Sequence, residues 1–227
     1  MGVIDDAPVE QALPRGLELG VLGGTFDPIH VGHLIVAQEV LTLLALDRVL
    51  LVPARISPLK LGGGTMFTAE QRWRMVALAT ADNPGLDVSR IDLDREGPSF
   101  SVDTLKTVIE RYAPRSLHFV LGADALASLP EWRQPREIVR LANLVAVTRP
   151  GHAIDVDDLE RFVPGARRAI HVIDTLAIGI SSTDLRERIQ VGRTIRYQVH
   201  RDVLRYIAEI TPGKAFVDGC GSATRCG

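Results

Sequence analysis

Apolar positions along the chain fall into short runs that alternate with longer stretches of helical spacing. Leu17 to Gly23 is an apolar run closed by Gly-Gly, as expected of a buried first strand. Val31 to Leu46 is rich in Leu, Ala and Val and long enough for a helix. Arg48 to Pro53 predicts a second strand, and Ala54 to Phe67 a loop carrying Pro58 and three glycines at 62–64. Thr68 and Gln71 have capping-box spacing, which predicts a helix start there and a helix to about Ala81. Leu86 to Leu93 alternates apolar and polar residues and predicts a strand. Ser101 to Tyr112 places Val102, Leu105, Val108 and Ile109 on one helical face. Leu117–Leu121, Leu144–Val147 and Ala169–Ile173 predict three more strands. Ser182–Gln190 and Val199–Ile210 predict the last helices.

Strands that alternate with helices imply an α/β domain whose mostly parallel sheet is covered on both faces. Residues 17–210 carry the pattern, and the last two helices suggest a small helical C-terminal part. Residues 1–16 lack periodicity and include Pro8, Pro14 and Gly16, so a disordered leader is expected. The Gly-rich segment 211–227 is expected to be a flexible tail. Ligands of such sheets bind beyond the carboxyl ends of strands, where strand order reverses. Gly23, Gly122 and Arg149 each follow a predicted strand and are the first positions to consider.

Composition narrows the chemistry. The 227 residues carry 26 Lys+Arg and 28 Asp+Glu, a formal charge of −2. That balance excludes a protein that coats nucleic acid through a strongly basic face. No apolar run is long enough to span a bilayer, and the acidic start is unlike a signal peptide. A cytoplasmic protein with no membrane or nucleic-acid partner is expected. Both cysteines, Cys220 and Cys226, lie in the tail and build no disulfide framework. Only three basic residues are lysines, Lys60 among them.

The segment Gly23-Gly24-Thr25-Phe26-Asp27-Pro28-Ile29-His30-Val31-Gly32-His33 carries the clearest chemistry. Glycines after a strand let the backbone approach a ligand, and the following helix start offers N–H groups to an anion. The segment is neither a Walker A loop nor a GxGxxG turn. It puts His30 and His33 three residues apart, on one helical face. Two imidazoles there could donate to phosphate oxygens as charge develops. A zinc pair is the other reading, though no cysteine is near to complete it.

GGTFDPIHVGH resembles the signature of the HxGH nucleotidyltransferase superfamily, which implies a Rossmann-like nucleotidyltransferase fold and ATP-dependent nucleotidyl transfer. Gly179-Ile180-Ser181-Ser182-Thr183-Asp184-Leu185-Arg186 opens a helix with three hydroxyls and is similar to the superfamily's ISSTxxR motif. Read alone, it could be only a well-capped helix. The resemblance implies that Gly23, Gly24, Thr25, Phe26, His30 and His33 bind ATP at one end. It implies that Ile180, Ser181, Ser182, Thr183 and Arg186 bind the triphosphate at the other. Lys60 lies in Pro53–Lys60, where the family usually ends Pro-Pro-His-Lys; Leu59 replaces the His and Ser57 the first Pro. The resemblance implies that Lys60 neutralises a reacting phosphate, while a solvated loop lysine is the alternative.

Three segments point to the acceptor. Gly97-Pro98-Ser99-Phe100-Ser101-Val102-Asp103-Thr104-Leu105 resembles the GPSYTVDTL segment of bacterial nicotinate mononucleotide adenylyltransferases. There the hydroxyl at Ser101 and helix-start N–H groups would receive the nicotinate carboxylate. Gly122 and Asp124, followed by Trp132, resemble that family's GxD…W block. Asp124 would hold a ribose hydroxyl of ATP, and Trp132 would stack on the pyridine ring. Thr148-Arg149-Pro150-Gly151 resembles its RPG turn. Gly24, Thr25, Lys60, Ser101, Trp132 and Arg149 are thus the implied nicotinate mononucleotide site. Taken singly, Trp132 could be core, Asp124 a helix cap and Ser101 an N-cap.

The expected reaction is transfer of AMP from ATP to nicotinate mononucleotide, giving deamido-NAD and pyrophosphate in NAD biosynthesis. His30, His33, Lys60 and Arg186 would be the catalytic groups. Mg²⁺ would be held mainly by ATP phosphates and water, so no carboxylate cage is required. The expected partners are these two small molecules, with self-association into a homo-oligomer left open. A phosphopantetheine or cytidylyl transferase, a nucleotide sensor without turnover, and a scaffold acting through leader and tail are the alternatives.

Overall fold

The computed structural model describes residues 10, 13–58, 64–148, 154–175 and 178–212. Six strands form one parallel sheet: β1 (Glu18–Gly24), β2 (Arg48–Pro53), β3 (Leu86–Val88), β4 (Ser116–Gly122), β5 (Asn143–Thr148) and β6 (Ile170–Asp174). Their order is β3-β2-β1-β4-β5-β6, the doubly wound arrangement in which strand order reverses between β1 and β4. Between the strands run α1 (Val31–Leu43), α2 (Ala69–Thr80), α3 (Ile91–Asp94), α4 (Ser101–Tyr112), α5 (Ala123–Ala127), α6 (Pro135–Leu141), α7 (Val156–Phe162) and α8 (Ala166–Ala169). After β6 come α9 (Ser182–Gln190) and α10 (Arg201–Ile210).

The period-2 geometry of strands divides the core in two. Val49 and Leu51 of β2, Val120 of β4 and Val145 of β5 join the layer containing Trp73, Met75 and Val76 of α2, Leu185 of α9 and Leu204 of α10. Leu50, Phe119, Leu121, Leu144 and Ala146, one residue out of phase, join Val102, Leu105 and Val108 of α4 and Ile138 of α6 on the other face. A strand buried on both faces must be apolar throughout, which is why β2 reads RVLLVP rather than alternating.

Local signals account for most boundaries. The Thr68 hydroxyl accepts from the Gln71 amide at 3.2 Å, and the Gln71 side chain accepts from the Thr68 N–H at 2.9 Å. That completes the expected box at the start of α2. The strand expected over 86–93 stops at Val88, and α3 follows. The apolar residues step by three between Val88 and Ile91, which breaks strand period. The Ser89 hydroxyl then accepts from the Ile91 N–H at 3.3 Å and opens the turn. The first helix ends at Leu43, not Leu46, because Ala45 takes a left-handed φ of 47° and turns the chain into β2. Helices α5 to α8 were not expected, since four to seven residues are too few to establish a period.

The expected leader is tied down at its described residues. The Glu10 carboxylate accepts from the Ser89 hydroxyl at 2.6 Å and the Tyr112 hydroxyl at 2.9 Å, and it lies 3.3 Å from Arg111. One acidic side chain reaching a partly buried hydroxyl pair leaves no periodic trace in sequence. Lys60, Arg149, Cys220 and Cys226 lie outside the described residues, as does the tail beyond 212. No described helix is long and apolar enough to cross a membrane.

Candidate active site

A cleft of about 750 Å³ opens where β1 and β4 end. Gly23 and Gly24 from β1, Gly122 from β4 and Thr148 from β5 line it, so it sits at the reversal of strand order. His30, His33, Thr25, Ser101, Trp132 and Ile180 also belong to its wall. The structure thus brings together residues from both ends of the chain that sequence could only align.

The turn after β1 is shaped by its glycines and by Phe26. Phe26 takes φ 48°, which tucks its ring beneath the turn. A Cβ on Gly24 would lie 3.0 Å from that ring. Phe26 is 2% exposed and meets His33 edge-on, with centroids 5.0 Å apart. Its ring is therefore packed under the turn rather than exposed in the cleft.

His30 precedes α1 in extended conformation, and its ring stacks on His33 with centroids 3.7 Å apart and planes 25° from parallel. The His30 backbone N–H donates to His33 Nδ1 at 3.2 Å. An accepting Nδ1 carries no hydrogen, so the neutral His33 ring presents its N–H at Nε2. His30 is 7% exposed, and its buried Nδ1 has no hydrogen-bond partner. Burial lowers its imidazole to about 4, so near neutral pH His30 is an uncharged donor.

α9 is fastened to the same turn. Ser181 caps it, accepting from the Asp184 N–H at 3.1 Å, and the Ser182 hydroxyl donates to the Pro28 carbonyl at 2.9 Å. Arg186 donates to the Asp27 carbonyl at 2.9 Å and to the Thr183 hydroxyl at 3.1 Å. Ser181, Ser182, Thr183 and Arg186 flank the cleft beside Ile180 rather than form its wall. Asp124 lies exposed in the first turn of α5, outside the wall that Gly122 joins.

Ser101, also on the cleft wall, is the first residue of α4, and Phe100 is the N-cap. The Ser101 hydroxyl is therefore not the cap. Trp132 is half-buried, donates from Nε1 to the Ser128 hydroxyl at 3.0 Å, and meets Phe119 edge-on with centroids 6.3 Å apart. These contacts hold its ring at the cleft.

Sequence reasoning missed several residues here. Arg72 is 1% exposed and donates to three carbonyls, Thr25 at 2.6 Å, Arg55 at 3.1 Å and Phe67 at 3.3 Å. Burial pushes its guanidinium below the usual value, opposed by Asp27. The Asp27 carboxylate accepts from the Met66 and Phe67 N–H groups at 2.9 and 3.0 Å. Together they brace the turn that carries His30. The available signal was the position of Arg72, three and four residues before Met75 and Val76 on an apolar helix face. Asp92 also reaches the cleft wall. It accepts from Thr104 at 2.7 Å and Arg95 at 2.8 Å, and burial raises its carboxyl despite these partners. Arg133 lines the cleft too, its guanidinium 4.8 Å above the Phe100 ring.

A parallel sheet with a glycine turn, a stacked histidine pair and a capped helix beside an arginine defines a nucleotidyltransferase. The sequence profile described as cytidylyltransferase-like matches residues 21–188. A relative from Roseiflexus castenholzii, named probable nicotinate-nucleotide adenylyltransferase, is 48% identical over 83% of this chain and 94% of its own length. One of the same name from Corynebacterium kroppenstedtii is 44% identical over 84% of this chain and 88% of its own. The chain belongs to the cytidylyltransferase-like family, and within it to the nicotinate-nucleotide adenylyltransferases. The fold is shared with the Plasmodium falciparum nicotinic acid mononucleotide adenylyltransferase complexed with APC. That likeness has a TM-score of 0.64 and 19% identity, over 85% of this chain and 94% of that one.

Proposed function

We propose that this chain transfers AMP from ATP to nicotinate mononucleotide, giving deamido-NAD and pyrophosphate, as a step of NAD synthesis. The observation that carries this reading is the stacked His30–His33 pair in one cleft with Ser101 and Trp132. A phosphate oxygen of the mononucleotide attacks the α-phosphorus of ATP in line. The new P–O bond forms as the bond to the β-phosphate oxygen breaks, and pyrophosphate leaves with the electron pair. No covalent enzyme intermediate is needed, so the protein acts by positioning and by offsetting charge.

His30 and His33 donate to the α-phosphate oxygens as their charge grows. Gly23, Gly24 and Thr25 let the triphosphate approach the backbone, and the N–H groups that open α9 receive the β- and γ-phosphates. Arg186 adds a fixed cation there, and Gly122 and Asp124 take the ribose side of ATP. Ser101 and the start of α4 receive the nicotinate carboxylate, while Trp132 stacks on the pyridine. Lys60 and Arg149, outside the described residues, are assigned to the reacting phosphate and the mononucleotide on the motif resemblance.

The cleft offers hydroxyls, imidazoles and the separate carboxylates of Asp92 and Glu131. Among the described residues no group of three or more His, Cys, Asp or Glu side chains is placed to cage a metal ion. That donor set fits Mg²⁺ held by ATP phosphate oxygens and water. Bound in that way, Mg²⁺ would offset charge on the departing pyrophosphate.

Pyrophosphate release with ATP plus nicotinate mononucleotide, and separately with nicotinamide mononucleotide, tests the proposal. Release is expected with the acid; release with neither overturns it.

A further inference from the structure

Selection of nicotinate over nicotinamide mononucleotide turns on a single substituent of the pyridine ring. Ser101 offers a neutral hydroxyl, which hydrogen-bonds a carboxylate or a carboxamide equally well. The N–H groups that open α4 favour an acceptor, and a fixed positive charge where the pyridine substituent is bound would add to that preference for the acid.

Among the described residues of the cleft wall, Arg133 is the only Lys or Arg. It follows Trp132, and its guanidinium sits 4.8 Å above Phe100, the residue before Ser101. The aromatic platform, the hydroxyl and the cation are therefore close along the chain or in space on the cleft wall. Arg133 is weakly engaged otherwise: its one ion pair, to Asp103, spans 3.4 Å between half-exposed partners. Such pairs contribute little and exchange readily with a better anion. Planar guanidinium also matches a carboxylate in two parallel hydrogen bonds, which a carboxamide cannot reciprocate.

We propose that the Arg133 side chain is a specificity determinant of this site, selecting the nicotinate carboxylate over the neutral carboxamide. This rests on the acceptor assigned under the proposed function. Asp103 parks the guanidinium when the site is empty and is displaced by the substrate carboxylate. A contact with the mononucleotide phosphate is the competing use of the same charge, and it would not distinguish the two substrates, since both carry that phosphate.

The test measures kcat/KM with nicotinate and with nicotinamide mononucleotide for wild type, Arg133→Gln and Arg133→Lys, with Tm recorded for each. The expected result is a fall of about tenfold or more in the acid-to-amide ratio for R133Q, the size of one charge-assisted hydrogen bond. The fall should come through KM for the acid, and R133K should restore most of the ratio. Asp103→Asn, which frees Arg133, should leave the ratio equal or higher. A ratio unchanged in R133Q overturns the inference. So does an equal loss with both substrates, which would assign Arg133 to the shared phosphate. If wild type itself releases pyrophosphate with neither substrate, it is the proposed function that fails.

Discussion

The His30 and His33 imidazoles lie face to face at 3.7 Å because Gly32, between them, has no side chain. A Cβ there would fall 3.0 Å from His30 Nδ1 and 3.1 Å from its Cε1. Stacking sets the spacing of the two donors, and the His30 N–H to His33 Nδ1 bond sets the tautomer of the second ring. The glycine of the motif is thus a condition for the geometry of both histidines.

Gly32→Ala should therefore behave as a catalytic lesion without touching substrate. The methyl group pushes the His30 ring by a few tenths of an ångström, so turnover should fall, by less than the order of 10²-fold that a 1 Å misplacement costs. His33→Ala removes a donor outright and should reduce kcat on the order of 10²–10³-fold. Steady-state pyrophosphate release checks both, with thermal unfolding as control. A Gly32→Ala enzyme with wild-type kcat would separate the glycine from the mechanism.

His30 makes the stability of the free protein depend on pH. Its imidazole falls from the ordinary 6.5 to about 4 on folding, because burial penalises the charged form. Between those values the unfolded chain binds a proton that the folded chain does not. Stability from this group is complete above about pH 6.5 and is lost as pH falls toward 4. The span amounts to roughly 3 kcal/mol at most. Urea unfolding of wild type and His30→Gln at pH 7.5 and pH 5 should show a smaller acid loss in the variant. Equal losses would mean that His30 titrates normally.

Glu10 should matter to stability although it lies in a segment with no periodic pattern. Burial pushes the Tyr112 hydroxyl up to about 12, so it remains a donor, and Glu10 is its acceptor as well as that of Ser89. Glu10→Ala leaves the two hydroxyls, 3.3 Å apart, only each other to donate to, and should destabilise the fold by about 1 kcal/mol. Denaturant unfolding at neutral pH measures it. A change within error would return residue 10 to a loose leader.

The sequence by itself determined the order of the six strands and the five longer helices, the two-sided burial of the sheet and the two motifs that flank the cleft. Each rests on local physics: apolar period, a capping box, glycine after a strand, histidines one turn apart. Tertiary structure decided the rest. Trp132 and Ser101 line one cleft only because the segment after β4 and the start of α4 both lie at the reversal of strand order. Arg72 holds Thr25, Arg55 and Phe67, positions related by no period. The Phe26 ring is buried under its turn, where the chain takes a positive φ, a backbone choice that apolar patterning does not encode. The −2 net charge likewise hides the placement of Arg133 over Phe100 on the cleft wall. A sum over the chain carries no position, and contacts between residues distant in sequence are specified only when the sheet brings them together.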